Sequence, residues 1–250
     1  MMKQTATNRN SVTGGVASIA TLDLVATALE RLAGRHGALP GLGVLYGPAG
    51  WGKSFCANTI ANAERGYFVQ MKSAWRGKTL LEKILFEMGI SPKGTIAQLL
   101  DRVCEQLAAS KRPLIIDEFD HCAKSDSLVE LVRDIYEGSS THILLIGEEG
   151  LPRMLERWER FHSRVLAWVP AQPVTIDDAA KLSPIYCPDV VIDDALLGHI
   201  TRIAAGSVRR VCVNLTLLHG HCLTMGLKRI DADEWGDTPF YTGRSPERRV

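Results

Sequence analysis

The chain has 250 residues, 46% of them hydrophobic and 23% charged, a balance that excludes disorder and membrane embedding and allows one large α/β domain or a core with a small appendage. A net charge of +1 excludes a globally basic nucleic-acid binder, so any such partner has to be met by a local patch. No apolar run approaches the ~18 to 20 residues that span a bilayer, and the polar opening "MMKQTATNRNSVTGG" lacks the apolar centre of a secretory signal, so the expected location is the cytoplasm, the host's if the chain is phage-encoded.

Residues 1–15 are polar and expected to be flexible. Ile19, Leu22, Val25, Leu29 and Leu32 recur at three- and four-residue steps, which predicts an amphipathic helix ending near "GRHG". A short strand at about 43–46 follows, then the glycine-rich "GPAGWGKS" of 47–54, a helix to about 63 and a strand around "GYFVQM". Together they form a β-loop-α-β unit. After the loop "KSAWRG", Leu80, Leu81, Ile84, Leu85 and Met88 predict one helix, and Ile96, Leu99, Leu100, Val103 and Leu107 a second.

The run "PLIID" at 113–117 is apolar and β-branched, as a strand buried on both faces of a parallel sheet should be. A helix carrying Leu128, Leu131, Val132 and Ile135 leads to a further strand, "HILLIG" at 142–147. One charged helix, "GLPRMLERWERFHSR", then precedes a fifth strand at 165–169. This alternation predicts an α/β three-layer sandwich on a parallel five-stranded sheet with right-handed crossovers.

From about 172 only helices are expected, at 177–183, 193–205 and 207–227. The domain reading is therefore a flexible 1–15, an α/β nucleotide-binding domain over 16–170, a helical lid over 171–230 and a tail over 231–250, of which "GDTPFYTGRSPERRV" at 236–250 is expected to be loosely held. The six cysteines include no C-x-x-C pair and read as reduced thiols. "HGHC" at 219–222 reads as ordinary helix residues.

The chemistry concentrates in two places. In "GPAGWGKS", Gly47, Gly50 and Gly52 permit the backbone angles that turn successive N–H groups toward phosphate oxygens, and the next helix presents its positive end. The nucleotide-binding set is Gly47, Pro48, Ala49, Gly50, Trp51, Gly52, Lys53, Ser54 and Phe55. Lys53 would reach the β- and γ-phosphates of ATP, and the Ser54 hydroxyl would ligate Mg²⁺.

The second place is "LIIDEFD", where Asp117 would hold the same Mg²⁺ and Glu118 would orient or deprotonate the attacking water. A Glu beside the Mg²⁺ Asp favours hydrolysis over phosphate transfer to a small substrate. Glu148, at the end of the neighbouring strand, is either a γ-phosphate contact or a helix-start acid. Arg160 and Arg164 are either a solvated basic face or the source of an arginine finger for a neighbouring subunit.

These residues resemble the AAA+ ATPases over roughly residues 15–230. "GPAGWGKS" is similar to Walker A and "LIIDEFD" to Walker B. "LLIGEE" takes the sensor-1 place, although the family usually has an amide or hydroxyl there. "ERFHSRV" resembles the arginine-finger segment, and "AAGSVRRV" the sensor-2 entry of the lid, which gives Arg209 the sensor role. The resemblance also implies a P-loop sheet order of 5-1-4-3-2.

Within that family, the single module, the "LLIGEEGLPRML" stretch and the short lid are most similar to the transposition ATPases, phage Mu transposition protein B and TnsC-type target selectors. The resemblance implies ATP-dependent rings or filaments on double-stranded DNA, a transposase partner, and hydrolysis that drives disassembly. A helicase loader, or a signalling or secretion-type switch that ignores DNA, are the alternatives. With about 40 residues ahead of the first strand there is no room for an N-terminal helix-turn-helix domain, so DNA contact is expected from the core. Lys72, Trp75, Arg76 and Lys78 in "MKSAWRGK" are the candidates, with a solvated loop whose Trp75 packs on the sheet as the competing reading.

Overall fold

The computed structural model describes residues 16–244, so the expectation of a flexible 1–15 lies outside the described residues. The chain folds as two compact units, one of residues 20–173 and one of residues 16–19 with 174–244.

The larger unit runs α1 (Ala20–Ala33), β1 (Leu42–Tyr46), α2 (Lys53–Ala63), β2 (Tyr67–Gln70), α3 (Gly77–Glu87), α4 (Ile96–Ser110) and β3 (Leu114–Asp117). A 3₁₀ turn (Phe119–Lys124) follows, then α5 (Asp126–Ser139), β4 (Ile143–Gly147), α6 (Leu151–Leu155), α7 (Glu159–His162) and β5 (Val165–Pro170). All five strands are parallel, in the order β2-β3-β4-β1-β5. This is the expected α/β sheet and the order 5-1-4-3-2 read from the other side.

Alternation along the strands builds the two interior layers. Leu42, Val44, Leu114, Ile116, Ile143 and Leu145 share one core cluster with the apolar stripes of α3, α4 and α5. Their neighbours Leu45, Ile115, Leu144 and Ile146 are equally buried and face the other side by the two-residue period. There α1 comes close: a Cβ on Gly43 would lie 2.7 Å from Leu32 Cδ1.

The single charged helix expected before β5 is two short helices. A continuous helix would carry Phe161 about 240° around the axis from Leu155, off the face that buries Leu151 and Leu155. The break at 156–158 brings it back, so that Phe161 is fully buried and stacks on Phe119 with ring centroids 5.9 Å apart. Trp158 fixes the break, its indole N–H donating to Asp126 Oδ1 at 3.2 Å and its ring lying 3.8 Å under the Arg157 guanidinium.

The smaller unit contains α8 (Ile176–Tyr186), β6 (Val191–Ile192), α9 (Asp194–Ala204), α10 (Val208–Met225), β7 (Arg229–Ile230) and α11 (Ala232–Trp235). The three predicted helices are present, but the expectation of helices alone is corrected by the parallel pairing of β6 with β7. Residues 231–244 are not loosely held. The buried Asn214 amide donates to Tyr241 O at 3.0 Å and accepts from Tyr241 N at 2.8 Å. The buried Trp235 stacks on Phe240 and meets His221 edge-on, which satisfies aromatic surface that a free tail would leave wet. Residues 245–250 lie outside the described residues.

The six cysteines are all free. Burial pushes the Cys122 thiol up to about 12, which keeps it protonated and unreactive at neutral pH.

Below the start of β4, Arg35 donates to Leu32 O and Ser140 O, both at 2.7 Å, and sits near the buried His142. Burial, then the Arg35 charge, push the imidazole down to about 4. The unfolded chain takes up this proton near pH 6.5, whereas the folded chain resists it until about 4. Stability contributed by the neutral imidazole is therefore complete above pH 6.5 and lost as pH falls toward 4. Urea midpoints measured across that window should fall with acidification in the wild type, and the fall should be shallower in His142→Gln.

Candidate functional site

Three chain segments leave the sheet at one edge. β1 ends at Tyr46 and enters the glycine loop, β3 ends at Asp117, and β4, hydrogen-bonded between them, ends at Gly147. The loop turns on Gly50 and Gly52, with φ of 82° and 84°, the left-handed region that side chains disfavour. α2 then begins at Lys53, so the first turn of a helix points its positive end across the loop.

Lys53 is buried, and its ammonium donates to Gly47 O at 2.7 Å and Pro48 O at 2.9 Å. Burial lowers its pKa. Asp117, Asp120, Glu118 and Glu148, in falling order, oppose that shift. One ammonium thus faces four carboxylates, which repel bare phosphate unless a further cation enters. Ser54 is half-buried on the same turn, whereas Phe55 points outward at 59% exposure. Pro48, Gly50 and Trp51 are half-buried and Ala49 is exposed.

Asp117 is buried, accepting from Glu118 N through Oδ1 at 2.8 Å and from Gln70 Nε2 through Oδ2 at 3.5 Å. Glu118 has φ 55° and ψ 40°, a left-handed conformation that costs a non-glycine residue about 1 to 2 kcal/mol. The kink turns the chain from β3 straight into the 3₁₀ turn. Asp120 therefore returns to the sheet edge, where its Oδ2 accepts from Glu148 N at 2.9 Å.

The donor set suits Mg²⁺. Among the described residues no three carboxylate, His or Cys side chains cluster as a metal cage. A site of one carboxylate, Asp117, and one hydroxyl, Ser54, completed by phosphate oxygens and water, is the form this ion prefers.

The remaining candidates are dispersed. Glu148 is exposed on the loop after β4, between the glycine loop and Asp117. Arg164 lies at the opposite edge of the sheet, where its carbonyl accepts from Leu42 N at 3.0 Å and its guanidinium meets Glu137 Oε1 at 3.4 Å. Arg160 is exposed on α7. Arg209 is exposed in the first turn of α10, while its neighbour Arg210 is drawn to Ala204 O at 3.4 Å.

In the loop after β2, Trp75 packs on the core cluster and Lys72 and Arg76 are exposed, whereas Lys78, expected in the same loop, is exposed in the first turn of α3. Met71 N donates to the main-chain carbonyl of Asp117 at 2.9 Å, which ties the start of this cationic loop to the end of β3. Lys72 donates to Gln70 Oε1 at 2.7 Å, and Lys78 pairs with Glu82 at 3.9 Å.

Sequence reasoning missed Asp120 and Gln70. The spacing of "DEFD" would reveal Asp120 only to a reader who knew that a 3₁₀ turn follows Glu118. Gln70 carries no signal beyond standing last in its strand.

Residues 37–155, just under half of the chain, match a protein-family model described as an AAA domain. No curated protein sequence matches the chain. Among solved structures the chain is similar to the ORC2 protein of Aeropyrum pernix in ADPNP and ADP complexes, with TM-score 0.66 and 18% identity over 91% of this chain and 68% of that one. It is also similar to the Aeropyrum pernix ORC1 protein in complex with DNA, with TM-score 0.61 and 17% identity over 86% of this chain and 62% of that one. Cdc6p from Pyrobaculum aerophilum gives TM-score 0.61 and 14% identity over 90% and 68%. The chain thus spans about two-thirds of the length of these proteins. At such identities the likeness concerns the fold, which is that of a AAA-type P-loop ATPase domain.

If Lys53 holds phosphate as expected from the sequence, Lys53→Ala should weaken Mg²⁺-ATP binding by on the order of a hundredfold, since the charged hydrogen bonds it would make are lost. Glu118→Gln should keep affinity within about threefold, because the amide preserves shape and removes only a proton acceptor. Titration calorimetry reads both, and equal losses would contradict the two roles.

Proposed function

We propose that this chain is an AAA+ ATPase that assembles on double-stranded DNA and hydrolyses ATP to leave it. The observation that carries the reading is the shared sheet edge. A phosphate-type loop, an Asp-Glu pair and an exposed cationic loop stand together there, the last hydrogen-bonded to the Asp117 carbonyl.

In this reading the loop amides and Lys53 hold the β- and γ-phosphates, and Ser54 and Asp117 hold Mg²⁺, which would neutralise charge on the phosphate oxygens when bound. Glu118 accepts a proton as water oxygen bonds to the γ-phosphorus. The bond from that phosphorus to the β–γ bridging oxygen breaks, and its electron pair leaves with ADP. Glu148, on the loop between the two motifs, would sense the departing phosphate in this reading.

A neighbouring copy supplies the arginine. Arg164 sits at the start of β5, about 17 Å along the strand direction from the loop that follows β1, too far to reach the phosphate of its own subunit. Arg164, or Arg160 beside it, would reach the site of the next subunit, and Arg209 would report from the lid. Hydrolysis then depends on assembly.

Delivery of target DNA to a transposase is the finer form of this reading, and it rests on the stretch at 143–155 and on the single-module layout. A role as a helicase loader or replication helper is favoured by a different observation, the likeness in fold to initiator-type proteins, one of them determined with DNA.

Lys72, Arg76 and Lys78 together are expected to supply about three phosphate contacts per subunit. Their simultaneous replacement by Ala should weaken duplex binding without sequence preference and reduce the slope of affinity against salt by about one per residue. Negative-stain images with duplex DNA and a slowly hydrolysed ATP analogue should show rings or filaments, most persistent in Glu118→Gln. A monomer that ignores DNA at low salt would overturn the proposal in favour of a switch acting on a protein partner.

A further inference from the structure

The β3–β4 ladder runs from Leu114 opposite Ile143 to Ile116 opposite Leu145. β4 continues to Gly147, but β3 stops at Asp117 and turns away through the kink at Glu118. The N–H of Glu148 points past the end of its neighbour strand, and the Asp120 carboxylate takes it at 2.9 Å. A side chain thus supplies the acceptor that the absent next rung would have supplied. Gly147 is shaped to that contact: a Cβ there would lie 2.5 Å from Asp120 Oδ2 and 2.5 Å from Leu151 Cδ2.

We propose that Asp120 is a positioning residue for hydrolysis. Its bond to Glu148 N fixes the turn after β4 against the turn after β3, so that Glu148 and Glu118 stand at a set separation on either side of the γ-phosphate. The proposal rests on the ATPase reading above and adds to it a residue that acts through the Glu148 turn, its carboxylate also facing the Lys53 ammonium. The bond, rather than the charge, carries the role, and three variants separate these.

Asp120→Ala removes acceptor and charge. Asp120→Asn removes the charge but keeps an amide oxygen for Glu148 N–H. Gly147→Ala leaves Asp120 intact and sets a methyl group 2.5 Å from its Oδ2 and from Leu151 Cδ2, which should push the carboxylate off the amide. A misplacement of about 1 Å at a reacting centre costs on the order of a hundredfold in rate. Asp120→Ala and Gly147→Ala should therefore each lower kcat by roughly ten- to a hundredfold, with the Kd for an ATP analogue moving less than about threefold. Asp120→Asn should recover most of the lost kcat.

Wild-type kcat in Asp120→Ala, or equal loss in Asp120→Asn and Asp120→Ala, would overturn the proposal, as would a loss that falls on Kd alone. Should Asp120→Ala fail to fold, the contrast between Asp120→Asn and Gly147→Ala makes the same decision. A wild-type chain that binds ATP but releases no phosphate would sink the ATPase reading instead. The clasp would then be judged by amide hydrogen exchange at Glu148, with protection expected in the wild type and Asp120→Asn and rapid exchange in Gly147→Ala. Rapid exchange in the wild type would overturn the clasp itself.

Discussion

Main-chain hydrogen bonds among β3, β4 and β1 set the heights at which three loops leave the sheet, and every property of the site depends on them. Val44 stands opposite Leu145, and Leu145 opposite Ile116, so the glycine loop, the turn at Gly147 and the Asp117 carboxylate emerge at neighbouring levels. A one-residue slip of any strand would turn its buried side chains to the wrong layer. The interleaved apolar faces forbid that, and core packing thereby positions the chemistry. Carboxylates placed this closely would repel one another in isolation. They are tolerated because the same register brings Lys53 among them.

That ammonium explains the character of the edge. It is held by the carbonyls of Gly47 and Pro48 and surrounded by four acids, so the surroundings keep an excess of negative charge. A phosphate anion is welcome only together with a divalent cation, and the acids become useful when that charge is balanced. The left-handed Glu118 belongs to the same arrangement. Its backbone cost is offset by the bond from its N–H to Asp117, and the kink delivers Asp120 to the next strand.

Much of this was legible in the sequence for physical reasons. Strands buried on both faces read as continuous apolar runs, so "LIID" and "ILLIG" announce themselves, and a glycine loop followed by Lys-Ser has few other uses. The losses have physical causes too. The break at 156–158 is imposed by tertiary packing of Phe161 on Phe119, which helical periodicity does not register. The β6–β7 pair has two residues per strand, too few for a period to show. The ordering of residues 231–244 depends on the Asn214 amide meeting the Tyr241 backbone, a contact 27 residues apart in the chain. Asp120 was hidden because its partner is a main-chain N–H on the loop after β4.

The sheet also separates what the site needs from what one subunit can offer. Arg164 leaves from the edge opposite the glycine loop and leans on Glu137, so under the proposed function the arginine of the site would come from a second copy, and hydrolysis would become a property of the assembly. Mixing two inactive variants tests this most directly. Glu118→Gln lacks the base but retains Arg164, and Arg164→Ala retains the base but lacks the finger. Steady-state phosphate release on duplex DNA should be near background for each alone and should return to about a quarter of the wild-type rate in an equal mixture, as random pairing places an intact base opposite an intact arginine at one interface in four. No recovery on mixing, or full activity in Arg164→Ala alone, would contradict the account.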